Sequence, residues 1–237
     1  MFQSNKEYIE FLTQSGVHTF LQETPNNLME DKKIKTEISE IKDIKRLDEI
    51  TEIKDLIPLI LNHNSPLKKT AKNMVLFDGN TKSKLMIIGE APGKEEDSKG
   101  LPFVGRAGQL LNKMLTAIQL DRKDVYITNA VPWRPPQNRT PTDMEILEFL
   151  PFLQRQIEII KPNFIYLLGA TAAKAILSTP LSLGKLRGNW HEYKSINMDI
   201  AVKVLVSYHP AFLLRSPNFK KEAWIDLQML KKKLNEN

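Results

Sequence analysis

Four acidic side chains crowd the loop that follows the apolar run at residues 85–88: Glu90, Glu95, Glu96 and Asp97. Gly89 and Gly93 stand among them, but the loop lacks the Gly-Lys-Ser/Thr ending of a P-loop and the spacing of a dinucleotide fingerprint. Because carboxylates repel phosphate, the loop better suits a neutral polar ligand or a water molecule. A capped turn that uses glycine for unusual backbone angles is the structural alternative.

An aromatic ring and an amide could complete a site for a planar ligand. Phe103 lies among small, turn-prone residues just before a helical pattern, which favours a stacking platform, although a lone Phe is more often part of a core. Asn129 ends a strand pattern and can offer a donor and an acceptor to an amide-like edge. A strand-end Asn can equally cap its own turn, and Asn138 has the same ambiguity.

His209 lies between a strand pattern and a proline, which would hold it rigidly at the end of the strand. A lone His is nevertheless more often structural than catalytic. The segment after it combines apolar groups, which we expect to be exposed, with a cation: Phe212, Leu213, Leu214 and Arg215. Apolar wedges flanked by cations are what a protein needs to enter a duplex and hold its backbone.

Four strand patterns alternate with helical patterns and must position these residues. The strands are predicted at 85–89, 125–129, 163–168 and 202–207, and the helices at 106–119, 142–160, 170–177 and 220–234. Such alternation implies right-handed crossovers and a parallel sheet covered on both faces. We therefore expect an α/β fold, a three-layer α/β/α sandwich with a central four-stranded parallel sheet, whose carboxyl edge carries Glu90, Asn129 and His209.

Charge separates the first 60 residues from the rest. Residues 1–60 hold 8 Lys and Arg and 12 Asp and Glu, a net charge of −4, whereas residues 61–237 hold 26 and 16, a net charge of +10. Ile and Leu recur without a heptad seam from residue 34 to 57, so we expect 1–60 to be an acidic N-terminal helical extension, or partly flexible. The basic domain at 61–237 suggests a polyanion partner, with simple solubility as an equal alternative.

The composition also limits the compartment and the cofactors. No apolar run is long enough to span a bilayer, and the N-terminus has no apolar signal core, so we expect a cytoplasmic protein without a membrane partner. The chain has no cysteine, which excludes disulfides, thiolate zinc sites and cysteine-held iron–sulfur clusters. We expect no metal and no cofactor.

Three motifs occur in order on three strand ends: GEAPGKEEDSKGLPFVGRAGQLL, ITNAVPWRPPQNR and HPAFLLRSP. Together they resemble the uracil-DNA glycosylase superfamily, specifically its family-4 type, over about residues 62–230. The resemblance implies a monofunctional hydrolase of base excision repair that flips uracil out of single- or double-stranded DNA, releases it and leaves an abasic site. The expected partner is uracil-containing DNA, and the expected state is a monomer.

The resemblance also implies a role for each motif residue. Phe103 would stack on the flipped uracil, Asn129 would bond its pyrimidine edge, and His209 would stabilise the departing uracil anion. Glu96 and Asn138 would help to position a water molecule or shape the site. The implied catalytic residues are Glu90, Glu96, Asn138 and His209, with Gly89, Ala91, Phe103 and Asn129 binding uracil, and Arg134, Arg139, Arg187, Leu213, Leu214 and Arg215 binding DNA.

The chain departs from the family pattern at the pocket and at a cofactor. Ala91 stands where better-known uracil glycosylases have a water-activating Asp, and Gly93 stands where they have a Tyr that excludes thymine. By the same resemblance, the four cysteines that hold an iron–sulfur cluster in family-4 members correspond to Asn62, Ser65, Trp133 and a position near Leu150. We therefore expect purified protein to contain no iron and to lack visible cluster absorbance.

The sequence leaves two alternative functions open. One is a non-catalytic DNA-binding or polymerase-associated module on the same fold, which the missing cluster and Ala91 allow. The other is a glycosylase for another deaminated base, such as hypoxanthine or xanthine. Asn129 argues against the second alternative, because purines present a different edge.

Overall fold

A computed structural model of the chain describes residues 47–236. These residues all belong to one compact unit. In this part of the chain a central sheet carries helices on both faces, which confirms the predicted three-layer α/β/α class.

The helices and strands follow one another in the order α1 (Ile53–Asn62), β1 (Phe77–Gly79), β2 (Leu85–Gly89), α2 (Lys94–Lys99), α3 (Arg106–Ala117), β3 (Tyr126–Asn129), α4 (Asp143–Ile160), β4 (Phe164–Leu168), α5 (Ala170–Leu177), α6 (Leu183–Leu186), β5 (Trp190–Tyr193), β6 (Val202–Ser207), α7 (Pro210–Arg215) and α8 (Lys220–Asn235). Short 3-10 helices lie at Pro66–Lys69, Arg122–Asp124, Pro136–Asn138 and Pro217–Phe219. Within residues 47–236, none of the helices has both the length and the apolar character needed to cross a bilayer.

The sheet has the strand order β1-β3-β2-β4-β6-β5. Its four central strands are parallel, so their carboxyl ends meet at one edge, where Gly89 of β2 pairs with Asn129 of β3. Strands β1 and β5 add antiparallel edges, and the sheet therefore has six strands rather than the predicted four. Both additions are short and only partly buried, so they leave no clear apolar pattern in the sequence.

Both faces of the sheet are buried, and successive residues of one strand serve opposite faces. Leu85 and Ile87 of β2 pack with α3, α7 and α8, whereas Met86 and Ile88 pack with α1, α4 and α5. This double burial explains why the central strands are continuous apolar runs, and why they were readable in the sequence.

Helix α1 crosses the boundary predicted at residue 60. Its Ile53, Leu56 and Ile60 are buried in the core, as is Leu47, and α1 packs against α4. The compact body therefore begins by residue 47. Of the extension predicted over residues 1–60, the part from 1 to 46 lies outside the described residues and stays a prediction.

Candidate active site

A cavity of about 400 Å³ opens at the carboxyl edge of the sheet. All of the predicted catalytic and ligand-binding residues except Gly89 line it: Glu90, Ala91, Glu96, Phe103, Asn129, Asn138 and His209. A cleft of this size that joins an aromatic ring, an amide and titratable groups is typical of a small-ligand or active site. The parallel sheet thus brings together side chains that are up to 119 residues apart in the chain.

Gly89 lies directly behind this cavity. A Cβ atom at this position would lie 2.4 Å from Cζ of Phe103 and 2.5 Å from Oδ1 of Asn129, far inside van der Waals contact. Because glycine has no side chain, the ring and the amide can both approach the end of β2. Gly89 therefore contributes to the site by the space it leaves.

Phe103 is buried and has a left-handed backbone conformation, with φ = +51°. Few residues other than glycine, asparagine and aspartate adopt this conformation, so the surrounding structure must stabilise it. One oxygen of Glu96, Oε1, accepts hydrogen bonds from the backbone N–H groups of Val104 (2.9 Å) and Gly105 (2.8 Å). The ring of Phe103 lies 5.5 Å from the ring of His209, with a tilt of 30°.

His209 is the N-cap of helix α7. Its Nδ1 atom accepts a hydrogen bond from the backbone N–H of Ala211 at 3.1 Å. Burial, and then the charge of Arg215, lower the pKa of His209 to about 4, while Glu96 acts in the opposite direction. At neutral pH the ring is therefore uncharged and carries its proton on Nε2, where it can donate a hydrogen bond.

Glu90 is held by a residue that the sequence analysis missed. The hydroxyl of Thr171, near the start of α5, donates a hydrogen bond to Oε2 of Glu90 at 2.6 Å. Thr171 follows the carboxyl end of β4, the one predicted strand end to which no chemistry was assigned. The general rule that ligand sites lie beyond the carboxyl ends of parallel strands could have identified it.

Glu96 and Asn138 both line the cavity, but each already has a protein partner. Oε1 of Glu96 accepts hydrogen bonds from the loop of Phe103. Oε2 lies against Gly93, where a Cβ atom would be only 2.8 Å away. Oδ1 of Asn138 accepts a hydrogen bond from Nε of Arg134 at 2.6 Å. Their role in holding a water molecule stays a prediction.

The expected apolar wedge after His209 needs one correction. Leu213 is only 1% exposed and belongs to the core, whereas Leu214 is 36% exposed and Arg215 is exposed as well. The segment is helical, so consecutive side chains point in different directions and Leu213 packs inward. Of the three residues expected to form the wedge, Leu214 and the half-buried Phe212 remain accessible to a ligand.

The predicted DNA-contacting arginines differ in what they bind within the protein. Arg139 and Arg215 line the cavity, and Arg139 is paired with Glu145 at 2.6 Å. Arg134 bonds Asn138 and lies 3.7 Å from a carboxylate oxygen of Asp97. Arg139 and Arg215 therefore lie at the cavity, whereas Arg134 contacts it only through Asn138.

Arg187 does not lie at this cavity. Its guanidinium is 2.8 Å from Oδ1 of Asp226 and 3.1 Å from Oε2 of Glu222, and its side chain is 16% exposed. Asp226 is fully buried and also accepts a hydrogen bond from Ser207 at the end of β6. The prediction that Arg187 contacts DNA therefore has no geometric support, because its guanidinium is paired with two carboxylates of α8.

The residues at the positions that correspond to cluster cysteines do not fit an iron–sulfur cluster. Trp133 is buried, Ser65 is buried and caps a 3-10 helix, and the chain has no thiolate to offer. His63 fills the neighbouring space, bonding Glu148 at 3.0 Å and meeting Phe149 and Phe152 edge-on. Among residues 47–236 no group of three His, Cys, Asp or Glu could hold a metal ion.

Comparison with known proteins yields a family match and several relatives. Residues 76–228 match the family model described as the uracil DNA glycosylase superfamily. The chain is similar to the type-4 uracil-DNA glycosylase of Pyrobaculum aerophilum, with 44% identity over 168 residues that cover 69% of this chain and 85% of the relative. It is also similar to the type-4 uracil-DNA glycosylase of Thermotoga maritima, with 44% identity over 152 residues that cover 64% of this chain and 77% of the relative. A DNA polymerase of Bacillus phage SP01 is 31% identical over 153 residues, which cover 64% of this chain and 16% of the polymerase.

Proposed function

The chain belongs to the uracil DNA glycosylase superfamily, and on this premise we propose that it hydrolyses the N-glycosidic bond of uracil in DNA. The reaction releases free uracil and leaves an abasic site, the first step of base excision repair. One observation carries the proposal: Phe103, Asn129 and the neutral His209 line a single cavity. Gly89, which has no side chain, allows the ring of Phe103 and the amide of Asn129 to approach the end of β2.

Recognition of the base follows from the ring and the amide. Phe103 supplies a flat apolar surface on which a flipped pyrimidine can stack. The amide of Asn129 offers an acceptor for N3–H and a donor for O4 of uracil, and cytosine inverts both. A site that hydrogen-bonds its substrate in this way rejects the analogue, because the wrong base leaves buried polar groups unpaired.

Catalysis then depends on the charges that develop as the bond breaks. When the bond between C1′ and N1 breaks, its electron pair moves to uracil, whose O2 accepts a hydrogen bond from Nε2–H of His209. The sugar gains cationic character, which the carboxylate of Glu90, oriented by Thr171, stabilises. A water molecule adds its oxygen to C1′ and loses a proton, which neutralises the uracil anion. We assign the placement of this water molecule to Glu96 and Asn138.

DNA contacts are assigned to the rim of the cavity. Exposed Leu214 can enter the space that the flipped base leaves, and Arg215 and Arg139 can contact the backbone phosphates. Flipping costs a few kcal/mol and least in single strands and mismatches, so both single-stranded and double-stranded DNA are proposed substrates. All of these groups come from one chain, which supports a monomer as the active form, and we propose the cytoplasm as its compartment.

One assay tests the proposal against both alternatives. The protein is incubated with oligonucleotides that carry uracil, hypoxanthine or no lesion, and alkali then cleaves any abasic site. We expect cleavage of the uracil strand alone. Cleavage at hypoxanthine would indicate another deaminated base, and DNA binding without cleavage would favour a polymerase-associated module, which the similarity to the phage polymerase makes a real alternative.

A further inference from the structure

Arg122 lies outside the cavity but contacts the loop that carries Phe103. Its Nη1 atom donates to the carbonyl oxygen of Phe103 at 2.9 Å, and its Nη2 atom donates to the carbonyl oxygen of Pro102. Nη1 also donates to Oδ1 of Asn112 on α3 at 3.1 Å. One planar guanidinium thus holds two consecutive peptide groups of the loop, which a lysine with its single nitrogen cannot reproduce.

Arg122 is itself fixed by a second contact. Its Nε atom lies 2.6 Å from Oδ2 of Asp78 on edge strand β1, with both side chains largely covered, at 21% and 30% exposed. Asp78 is paired with Ile127 of β3, so the carboxylate is anchored to the sheet. The chain of contacts runs from the sheet through Asp78 and Arg122 to the backbone of Phe103.

Glu96 holds the same loop from its other side. The cation of Arg122 binds the carbonyl groups of residues 102 and 103, and the carboxylate of Glu96 binds the N–H groups of residues 104 and 105. The backbone of α3 closes a third side, since a Cβ at Gly108 would lie 1.8 Å from the carbonyl oxygen of Phe103. These contacts stabilise a φ of +51° that Phe would otherwise avoid.

We propose that Arg122, oriented by Asp78, is a positioning residue that fixes the ring of Phe103 for stacking on the flipped base. This inference rests on the proposed glycosylase function. Without the guanidinium the loop loses the partners of two carbonyl groups, Phe103 relaxes toward an ordinary φ, and its ring leaves the wall of the cavity. Arg122 acts only through Phe103, because it does not line the cavity.

A double-mutant cycle tests this directly, because two residues that act as one unit have non-additive effects. Single-turnover rates of uracil release are measured for the parent, Arg122→Met, Phe103→Ala and the double variant. We expect Arg122→Met to lower the rate about 10- to 100-fold in the parent, the range of one base–aromatic stack, but by less than about twofold in the Phe103→Ala background. Arg122→Lys should be intermediate.

Arg155 offers a matched control on the opposite face of the sheet. It also donates to backbone carbonyl oxygens, those of Asp48 and Ile50, and pairs with Glu158 at 2.8 Å, with a side chain that is 13% exposed. Arg155→Met should leave the single-turnover rate unchanged at a comparable change in melting temperature. This comparison separates positioning of Phe103 from a general loss of stability.

Two results would overturn the inference: a parental rate for Arg122→Met, or rate losses that multiply in the double variant. If Arg122→Met does not fold, Asp78→Asn takes its place, since it removes the charge that orients the guanidinium and should lower the rate in the parent background only. A parent that releases no uracil would instead refute the proposed function. Affinity for uracil-free DNA should be the same in all variants, because the loop acts after the base is flipped.

Discussion

The Nδ1 atom of His209 accepts a hydrogen bond from the backbone N–H of Ala211 at 3.1 Å, and this contact determines which ring nitrogen can face the cavity. The nitrogen that accepts cannot carry a proton, so the proton of the neutral ring is on Nε2. A cap of helix α7 and a donor for a departing anion are thus two functions of one side chain.

His209→Asn should separate these two functions. Asn can still cap α7 through its side-chain oxygen, but it has no donor at the position of Nε2. We expect uracil release to fall about 100- to 1,000-fold, the cost of losing one oxyanion donor, with little change in DNA affinity. His191, whose Nε2 contacts the carbonyl oxygen of Leu186 outside the cavity, is the matched control, and His191→Ala should retain the parental rate.

The pH dependence should follow the lowered pKa of His209. Because this pKa lies at about 4 in the folded protein, the single-turnover rate should be unaffected by His209 at neutral pH and fall only as the pH approaches 4. The unfolded chain takes up the proton near its ordinary value of 6.5. The stability that the neutral ring contributes is therefore complete above that pH and is lost as the pH falls toward 4. A rate profile with a His209-dependent step between pH 6 and 7, absent in His209→Asn, would contradict this.

Gly89→Ala should damage the site through a single methyl group. The new Cβ would overlap the ring of Phe103 and the amide of Asn129, and a displacement of about 1 Å can cost about 100-fold in rate. Gly184→Ala is the control, because a Cβ at Gly184 meets no atom within 4 Å. Single-turnover assays of both variants decide the matter, and equal rates would show that the ring and amide adjust without loss.

Arg215 and Arg187 should respond differently to substitution. Arg215→Ala is expected to weaken binding to all DNA sequences. The slope of the logarithm of the binding constant against the logarithm of the salt concentration should become shallower by about 0.9 per lost phosphate contact. Arg187→Met should instead leave binding unchanged and destabilise the fold by about 3–5 kcal/mol, because buried Asp226 loses its partner. Salt titrations of DNA binding and urea unfolding curves distinguish the two variants. A shallower salt slope for Arg187→Met would show that Arg187 contacts DNA.

The central strands and the longer helices could be predicted because their burial imposes a periodic pattern on the sequence. Strands β2 and β6 have the predicted bounds, and the helices at 106–119, 142–160, 170–177 and 220–234 differ from α3, α4, α5 and α8 by two residues or fewer at each end. Edge strands β1 and β5 could not be predicted, since each has three or four residues and incomplete burial.

The candidate site was predictable where a motif ends a strand and not where residues act on each other across the fold. Gly89, Asn129 and His209 lie where the strand patterns placed them. Arg122 was missed because its partner Phe103 is 19 residues away, at a contact that no local pattern encodes. Thr171 was missed because no motif marks the end of β4, although its position beyond a predicted strand end was available, and its partner Glu90 is 81 residues away. The exposure of Leu213 was misjudged, since one turn of helix decides whether an apolar side chain faces solvent or the core. The DNA contact of Arg187 stays a prediction, and its pairing with buried Asp226 could not be read from the sequence because the two residues are 39 positions apart.

His63, Phe149 and Phe152 form a packed corner that determines what the protein needs from the cell in order to fold. Aromatic side chains pack this corner and one hydrogen bond fixes His63, so we expect the polypeptide to fold without a bound cluster. Chelators should not unfold the protein, and its abundance should not depend on iron supply or on the machinery that assembles clusters. None of these three side chains contains a sulfur atom that peroxide could oxidise. This part of the fold should therefore survive the oxidising conditions under which DNA damage accumulates.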